Sequence, residues 1–267
     1  MQNACLPLTG GGKPCGYSSS LTTAKSLRLE PVWRPFSGGI KLDFIDFFEK
    51  FIKVLVRYWD VFLIKGVSVT LSLSAITVFF GTIFGTLLAF GKMGRSRLLR
   101  WIITAFVEII RGTPSLLQIY VGYFIVPLAL PFLGLSTYAS VAVALIINSS
   151  AYVSEVIRSG IQAVDKGQTE AARSLGLTQA QAMVKVVLPQ AVKNILPALG
   201  NEFITIIKET SLASTFFAGD LMTSYLTVNG KEFLPLQCLL IVGIIYFILT
   251  FILGRGVHAL ERRLSHD

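Results

Sequence analysis

Apolar residues dominate this chain in long stretches separated by short polar segments. Five stretches reach the ~20 mostly apolar residues that a helix needs to cross hydrocarbon: 62–90, 98–130, 138–157, 192–212 and 234–253. Ahead of them, residues 43–58 follow a different pattern. There Phe44, Phe47, Phe48, Phe51, Val54 and Leu55 alternate with Asp46, Glu49, Lys50, Lys53 and Arg57 at helical spacing, the pattern of a two-faced helix. Such a helix lies flat at a membrane interface before the chain enters the bilayer. Residues 1–40 are rich in Gly, Ser, Thr and Pro and show no periodicity, so order is not expected there. With no apolar core before Leu42, they do not read as a signal peptide; a mis-assigned upstream start codon would also explain them. The expected organisation is an N-terminal extension (1–40), an interfacial helix (41–60), an all-α transmembrane domain (61–257) with a polar loop at 160–190, and a short tail (258–267).

The polar loop is the most informative segment. Residues 167–175 suit a short helix, with Glu170 placed in its first turn and Ala171 and Ala172 presenting almost no side chain. Gly176 ends it, because glycine takes the left-handed cap without steric cost. Thr178 caps a second stretch, 179–187, which Pro189 is expected to limit. The loop is a compact helix-turn-helix knob whose small residues let another protein's surface come close. It contains no catalytic constellation.

Composition narrows the class. The chain is 53% hydrophobic and only 15% charged, with mean hydropathy +0.66, whereas soluble domains carry about 25% charged residues. It is therefore read as a polytopic membrane protein. Lys92, Arg95, Arg97 and Arg100 follow the first stretch, Lys166, Arg173 and Lys185 lie in the knob loop, and Arg255, Arg262 and Arg263 lie near the end. These three segments alternate onto one face, which the positive-inside rule makes cytosolic. The N-terminus is then outside, although its tail also carries cations, and the C-terminus is inside. The net charge of +9 is a topology signal and no argument for nucleic acid. Cys5, Cys15 and Cys238 are too scattered for a metal site or a disulfide framework, and His258 and His266 have no partners in sequence.

Polar residues in apolar stretches mark interiors or pathways. In the first stretch Thr70, Ser74, Thr77, Gly81 and Gly85 recur every three or four residues, a small-residue face suited to helix packing. In the third, Asn148, Tyr152, Glu155 and Ser159 share a face, as do Asn201, Thr205 and Lys208 in the fourth, followed by Glu209. An amide, a phenol and paired charges are the groups needed to hold a zwitterionic solute. They are equally the groups that hydrogen-bond a bundle together. At ~1.5 Å per residue, Asn148 and Tyr152 fall near mid-bilayer, while Glu155 and Arg158 approach the cytosolic end and suit a gate or inner ion pair. In the second stretch Glu108 and Arg111 are spaced to neutralise one another, and Gly112 and Pro114 predict an interruption or kink just beyond.

The spacing Glu170-Ala171-Ala172, three residues, Gly176, nine residues, then Val186-Val187-Leu188-Pro189 resembles the EAA loop of ABC-transporter permease subunits, with Val186 where isoleucine is usual. Arg111-Gly112-Thr113-Pro114 with Gln118, the run 151–161, Gly167 to Ala172, Leu188-Pro189-Gln190-Ala191 and Lys208-Glu209-Thr210-Ser211-Leu212 sharpen the likeness. Over about residues 55 to 260 the chain is similar to the polar amino acid branch of ABC importer permeases, the histidine, arginine and glutamine type. Glu209 stands where that branch more often has aspartate or asparagine. The resemblance implies a five-helix type I importer permease fold in a bacterial inner membrane. It also implies pairing with a second copy or a paralogue, two cytosolic ATP-binding subunits, and an external solute-binding protein that delivers a polar amino acid. Gly167, Glu170, Ala171, Ala172, Gly176, Leu188 and Pro189 become the ATPase-coupling residues. The chain has no G-x-x-x-x-G-K-[ST] loop, so it needs no cofactor of its own and ATP belongs to the partner.

A secondary transporter or channel for small polar solutes shares the hydropathy but has no need of the capped knob. An intramembrane enzyme needs a nucleophile with a base, or paired metal ligands, and no apolar stretch contains a histidine.

Overall fold

The computed structural model describes residues 44–129 and 131–266, and the expectation for residues 1–40 falls outside them. All regular structure among the described residues is helical. Helix α1 (Phe44–Arg57) bends at Tyr58 into a wide turn, Asp60–Gly66, that leads into α2 (Val67–Met93). Next come α3 (Arg97–Gly112) and α4 (Ser115–Ala129), followed by α5 (Thr137–Gln162). The knob consists of α6 (Lys166–Ser174) and α7 (Gln179–Ala182). A wide turn at Met183–Val187 then joins α8 (Leu188–Glu209), a 3-10 segment (Thr210–Phe216), α9 (Leu221–Glu232) and α10 (Pro235–His266).

Four helical runs among the described residues are long and apolar enough to span: Asp60–Met93, Thr137–Gln162, Gln179–Phe216 and Pro235–Leu264. The expected second span, 98–130, is interrupted where Gly112 and Pro114 mark it. Its halves α3 and α4 meet at 112°, a broken span or re-entrant turn. Pro114 carries no N–H to continue the helix, and Thr113 is driven to extended backbone, φ −115° and ψ 149°. The tail expected at 258–267 is likewise helical through His266, as the end of α10.

The centre of the bundle is α5, the most enclosed of the spans. Its closest neighbour is α2, and the small-residue stripe is what lets them touch. A Cβ added at Gly81 would sit 2.7 Å from Ser149 Oγ, and one at Gly85 would sit 2.8 Å from Val153 Cβ. Thr70, Ser74 and Thr77 are buried on the same face, so this stripe packs helices. Helix α9 is tied to the start of α2: Leu221 N donates to Thr70 Oγ1 at 3.0 Å, and Ser224 Oγ donates to Val61 O at 3.1 Å. Asp220 caps α9 by accepting from Met222 N, and its burial pushes the carboxyl pKa up. At the far end of α9, Tyr58 donates its hydroxyl to Glu232 Oε1 at 2.7 Å, and that bond raises the phenol pKa.

Candidate functional site

Two places hold the residues singled out from sequence: the knob and the polar interior around α5. The knob is built by capping. Asp165 accepts from Gly167 N at 2.7 Å and starts α6, and a Cβ at Gly167 would crowd that same carboxylate at 2.7 Å. Glu170, expected in the first turn, lies further along on an exposed face, because the helix begins at Lys166 and Asp165 takes the capping role. At the other end Leu177 N bonds Ala172 O (3.2 Å) and Gly176 N bonds Arg173 O (3.0 Å), with Gly176 at φ +88°. This is a Schellman closure around a left-handed glycine. Thr178 and Gln181 then cap each other's backbone and start α7.

Pro189 does not limit the second stretch. The helix runs from Gln179 to Phe216 as one 38-residue unit. The wide turn Met183–Val187 precedes the proline, which sits in the first turn of α8, where its missing N–H leaves no gap. Gln190 Nε2 bonds Val186 O at 3.1 Å and Gln168 Oε1 at 3.3 Å, tying α6 to this long helix. On the knob, Ala172 is buried while Ala171 is exposed and Leu175 is 86% exposed. The outward surface therefore offers a flat alanine beside one apolar anchor.

In the interior, the break between α3 and α4 is repaired by a side chain. Pro114 cannot donate to Ile110 O, and Gln118 Nε2 does so instead at 2.6 Å, while also reaching Thr113 O at 3.0 Å. Irregular backbone at membrane depth needs such replacement partners. Gln118 Oε1 in turn accepts from Asn148 Nδ2 at 2.8 Å. Asn148, expected to face a solute, thus holds the elbow through one end of its amide; its Oδ1 is buried without a protein partner. Gln118→Leu strands Asn148 Nδ2, at a cost of about 1–3 kcal/mol, and leaves Ile110 O only the longer bonds from Thr113 N (3.5 Å) and Thr113 Oγ1 (3.3 Å). The expected result is a lower Tm for the purified protein in detergent. An unchanged Tm would show that the elbow is held by packing alone.

Glu155 is the hub of an ion cluster that joins three helices. Lys92, at the end of α2, donates to Glu155 Oε1. Arg158 donates to Oε2 through Nε (2.9 Å) and Nη2 (2.8 Å), and Arg111 Nη1 from α3 stands 3.9 Å from the same oxygen. The Lys92 and Glu155 side chains are only 11% and 15% exposed. The Arg111 guanidinium also lies over the Tyr152 ring, 5.5 Å from its centroid. Glu108 and Arg111 do not pair as expected. Arg111 turns instead to the Glu155 carboxylate on α5, which it shares with Lys92 and Arg158.

Helix α8 splits its polar groups between two directions. Glu202 accepts from Ser149 at 3.3 Å, and Glu209 accepts from Ser115, at the start of α4, at 3.1 Å. Asn201, Thr205 and Lys208 share an exposed face and do not join the α5 stripe. Sequence reading passed over Lys92, Ser115 and Glu202 as site residues and used Gln118 only as part of a motif. A carboxylate at 202 inside an apolar stretch was a signal; Lys92 looked like an ordinary loop cation.

The sequence profile described as "Binding-protein-dependent transport system inner membrane component" matches residues 81–266. The arginine transport system permease protein ArtQ of Bacillus subtilis is 39% identical over 206 residues, covering 77% of this chain and 94% of that protein. A putative glutamine transport system permease protein GlnP of Rickettsia bellii is 37% identical over 217 residues, covering 81% and 98%. Among solved structures, an amino acid ABC transporter crystallised with histidines superposes with a TM-score of 0.73 at 39% identity, covering 78% of this chain and 96% of that one. The inward-facing MetNI methionine transporter shares the fold, with a TM-score of 0.58 at 23% identity over 74% and 96% of the two chains.

Proposed function

This chain belongs to the family of binding-protein-dependent transport system inner membrane components, and on that premise we propose that it is the membrane subunit of an importer for a polar amino acid. A cytosolic ATP-binding subunit supplies the energy and an external binding protein supplies the solute. The N-terminus lies outside and the C-terminus in the cytosol, following the distribution of Lys and Arg among the short loops.

The observation that carries this reading is the unbroken helix from Gln179 to Phe216. One end of it is the capped knob, and the other bears Asn201, Thr205, Lys208 and Glu209. A partner that grips Ala171 and Leu175 and moves them on ATP binding displaces α7, and α8 moves with it because the helical run continues through the wide turn Met183–Val187. Gln190 keeps α6 in step. Polar side chains that face away from their own bundle at membrane depth need a polar counterpart. A second copy of the chain or a paralogue, applied to the exposed face of α8, gives Asn201, Thr205 and Lys208 that setting and leaves a polar seam as the solute pathway. Tyr152 of α5 and the partly exposed Arg111 of α3 line its approach, where Arg111 offers a cation to a solute carboxylate and Glu209 an anion to its ammonium.

Purification from the native membrane in mild detergent tests the assignment. Co-recovery of a P-loop ATPase that is lost with Gly176→Glu supports it. A chain that purifies alone and drives gradient-coupled flux in liposomes contradicts it. Lys208→Gln and Thr205→Val alter exposed groups only, so their expected effect is a changed solute dependence of ATP hydrolysis at unchanged Tm. An unaltered solute response from both places the pathway elsewhere.

A further inference from the structure

The exposed apolar face of α1 has no counterpart in the transport cycle. Three stripes run along this helix. Phe51, Val54, Leu55 and Tyr58 pack on Cys238, Ile241, Val242 and Ile245 of α10. Asp46, Glu49, Lys53 and Arg57 form an exposed charged stripe. Between them Ile45, Phe48, Ile52, Val56 and Trp59 recur every three or four residues, and each is more than half exposed.

We propose that this third stripe docks on the phospholipid bilayer, with α1 lying along the membrane plane at the end of the α2 span and its stripe sunk to the level of the glycerol backbone and upper acyl chains. Length forces α1 out of the hydrocarbon centre. The run Asp60–Met93 has 34 residues, about 51 Å at 1.5 Å per residue, and already exceeds the ~30 Å core. The charged stripe keeps the helix from sinking further. Continuity identifies lipid as the occupant. The stripe passes through Trp59 onto Leu63, and the same span then exposes Phe79, Phe80, Ile83, Phe84 and Leu87, the surface expected of a membrane span. Trp59 stands at the junction, the level at which tryptophan concentrates in membrane proteins. The Tyr58 hydroxyl on Glu232, with the Arg57 guanidinium 3.5 Å from the same oxygen, pins the helix end to α9 and holds the bend that turns α1 away from α2.

Trp59 reports the outcome directly. The chain has three tryptophans, and Trp33→Phe with Trp101→Phe leaves Trp59 alone. The full-length double variant, with any co-purifying subunits, is reconstituted in phosphatidylcholine vesicles brominated either near the glycerol end or near the methyl end of the acyl chain, and the emission of the same complex carrying Trp59→Phe as well is subtracted. Quenching about twofold stronger by the shallow label, reduced by adding Ile52→Asp and Val56→Asp, supports the proposal. An absence of quenching by either lipid overturns it: with quenching by water-soluble acrylamide, water covers the stripe, and without it, protein does. Stronger quenching by the deep label overturns it too, since α1 would then enter the hydrocarbon. None of these readings depends on transport, so the importer assignment stands or falls separately.

Discussion

Ala171→Arg is expected to abolish ATP-driven uptake while leaving the chain folded and inserted. Ala171 is exposed on α6, whereas its neighbour Ala172 is buried, so the new side chain meets no atom of its own fold and meets the partner instead. Each ~1.4 kcal/mol of lost docking energy weakens the contact tenfold. An arginine on a flat apolar surface imposes both steric overlap and an uncompensated charge, so uptake is expected to fall by more than about tenfold. Gly176→Glu reaches the same end by another route. No atom lies within 4 Å of a Cβ at that position, yet φ is +88°. The cost is therefore backbone strain of roughly 1–2 kcal/mol in the closure that orients the knob. Uptake assays with co-purification of the ATPase check both. Normal transport by Ala171→Arg with the ATPase bound would remove α6 from the coupling interface.

Glu155→Gln is expected to cost about 2–4 kcal/mol, discounting the loss of a buried pair for the partial exposure of its partners. The carboxylate that Lys92, Arg158 and Arg111 share disappears, and the three cations are left facing one another. The sharper expectation concerns the double variant. Lys92→Gln added to Glu155→Gln removes one of the mutually repelling charges, so the pair is expected to be more stable than Glu155→Gln alone. Lys92→Gln by itself still leaves Glu155 two arginine neighbours and costs less. Thermal unfolding of the four proteins in detergent closes the cycle. Additive losses would mean that Lys92 and Glu155 do not interact, and the cluster would lose its standing as the tie between α2, α3 and α5.

Much of the fold was legible because its signals are local. The knob's caps at Gly176 and Thr178 depend on residues within five positions of each other, and the amphipathic spacing of 43–58 depends only on helical period. The break at Pro114 was also legible, but its size was not. The interruption becomes a 112° elbow in which Gln118 donates to the freed Ile110 carbonyl and Asn148, thirty residues away, braces Gln118 in turn. Without those partners the freed carbonyls would make so sharp a turn too costly in hydrocarbon. Pro189 misled in the opposite sense. Proline limits a regular α-helix, yet a widened turn ahead of it absorbs the missing donor and lets the helix continue.

By itself the sequence determined the class of the protein, four of its membrane spans, the capped knob and the family likeness, since apolar length, charge distribution and capping are read from neighbouring residues. Tertiary structure alone decided the partnerships. Arg111 left Glu108, three residues away, for Glu155 on another helix, and Glu202 found Ser149 across the bundle. Asn148 became a brace for the elbow, while Asn201, Thr205 and Lys208 turned outward. A helix offers each long polar side chain several directions of nearly equal local energy, and only the face brought up by a neighbouring helix, with its charges and orphaned carbonyls, selects among them.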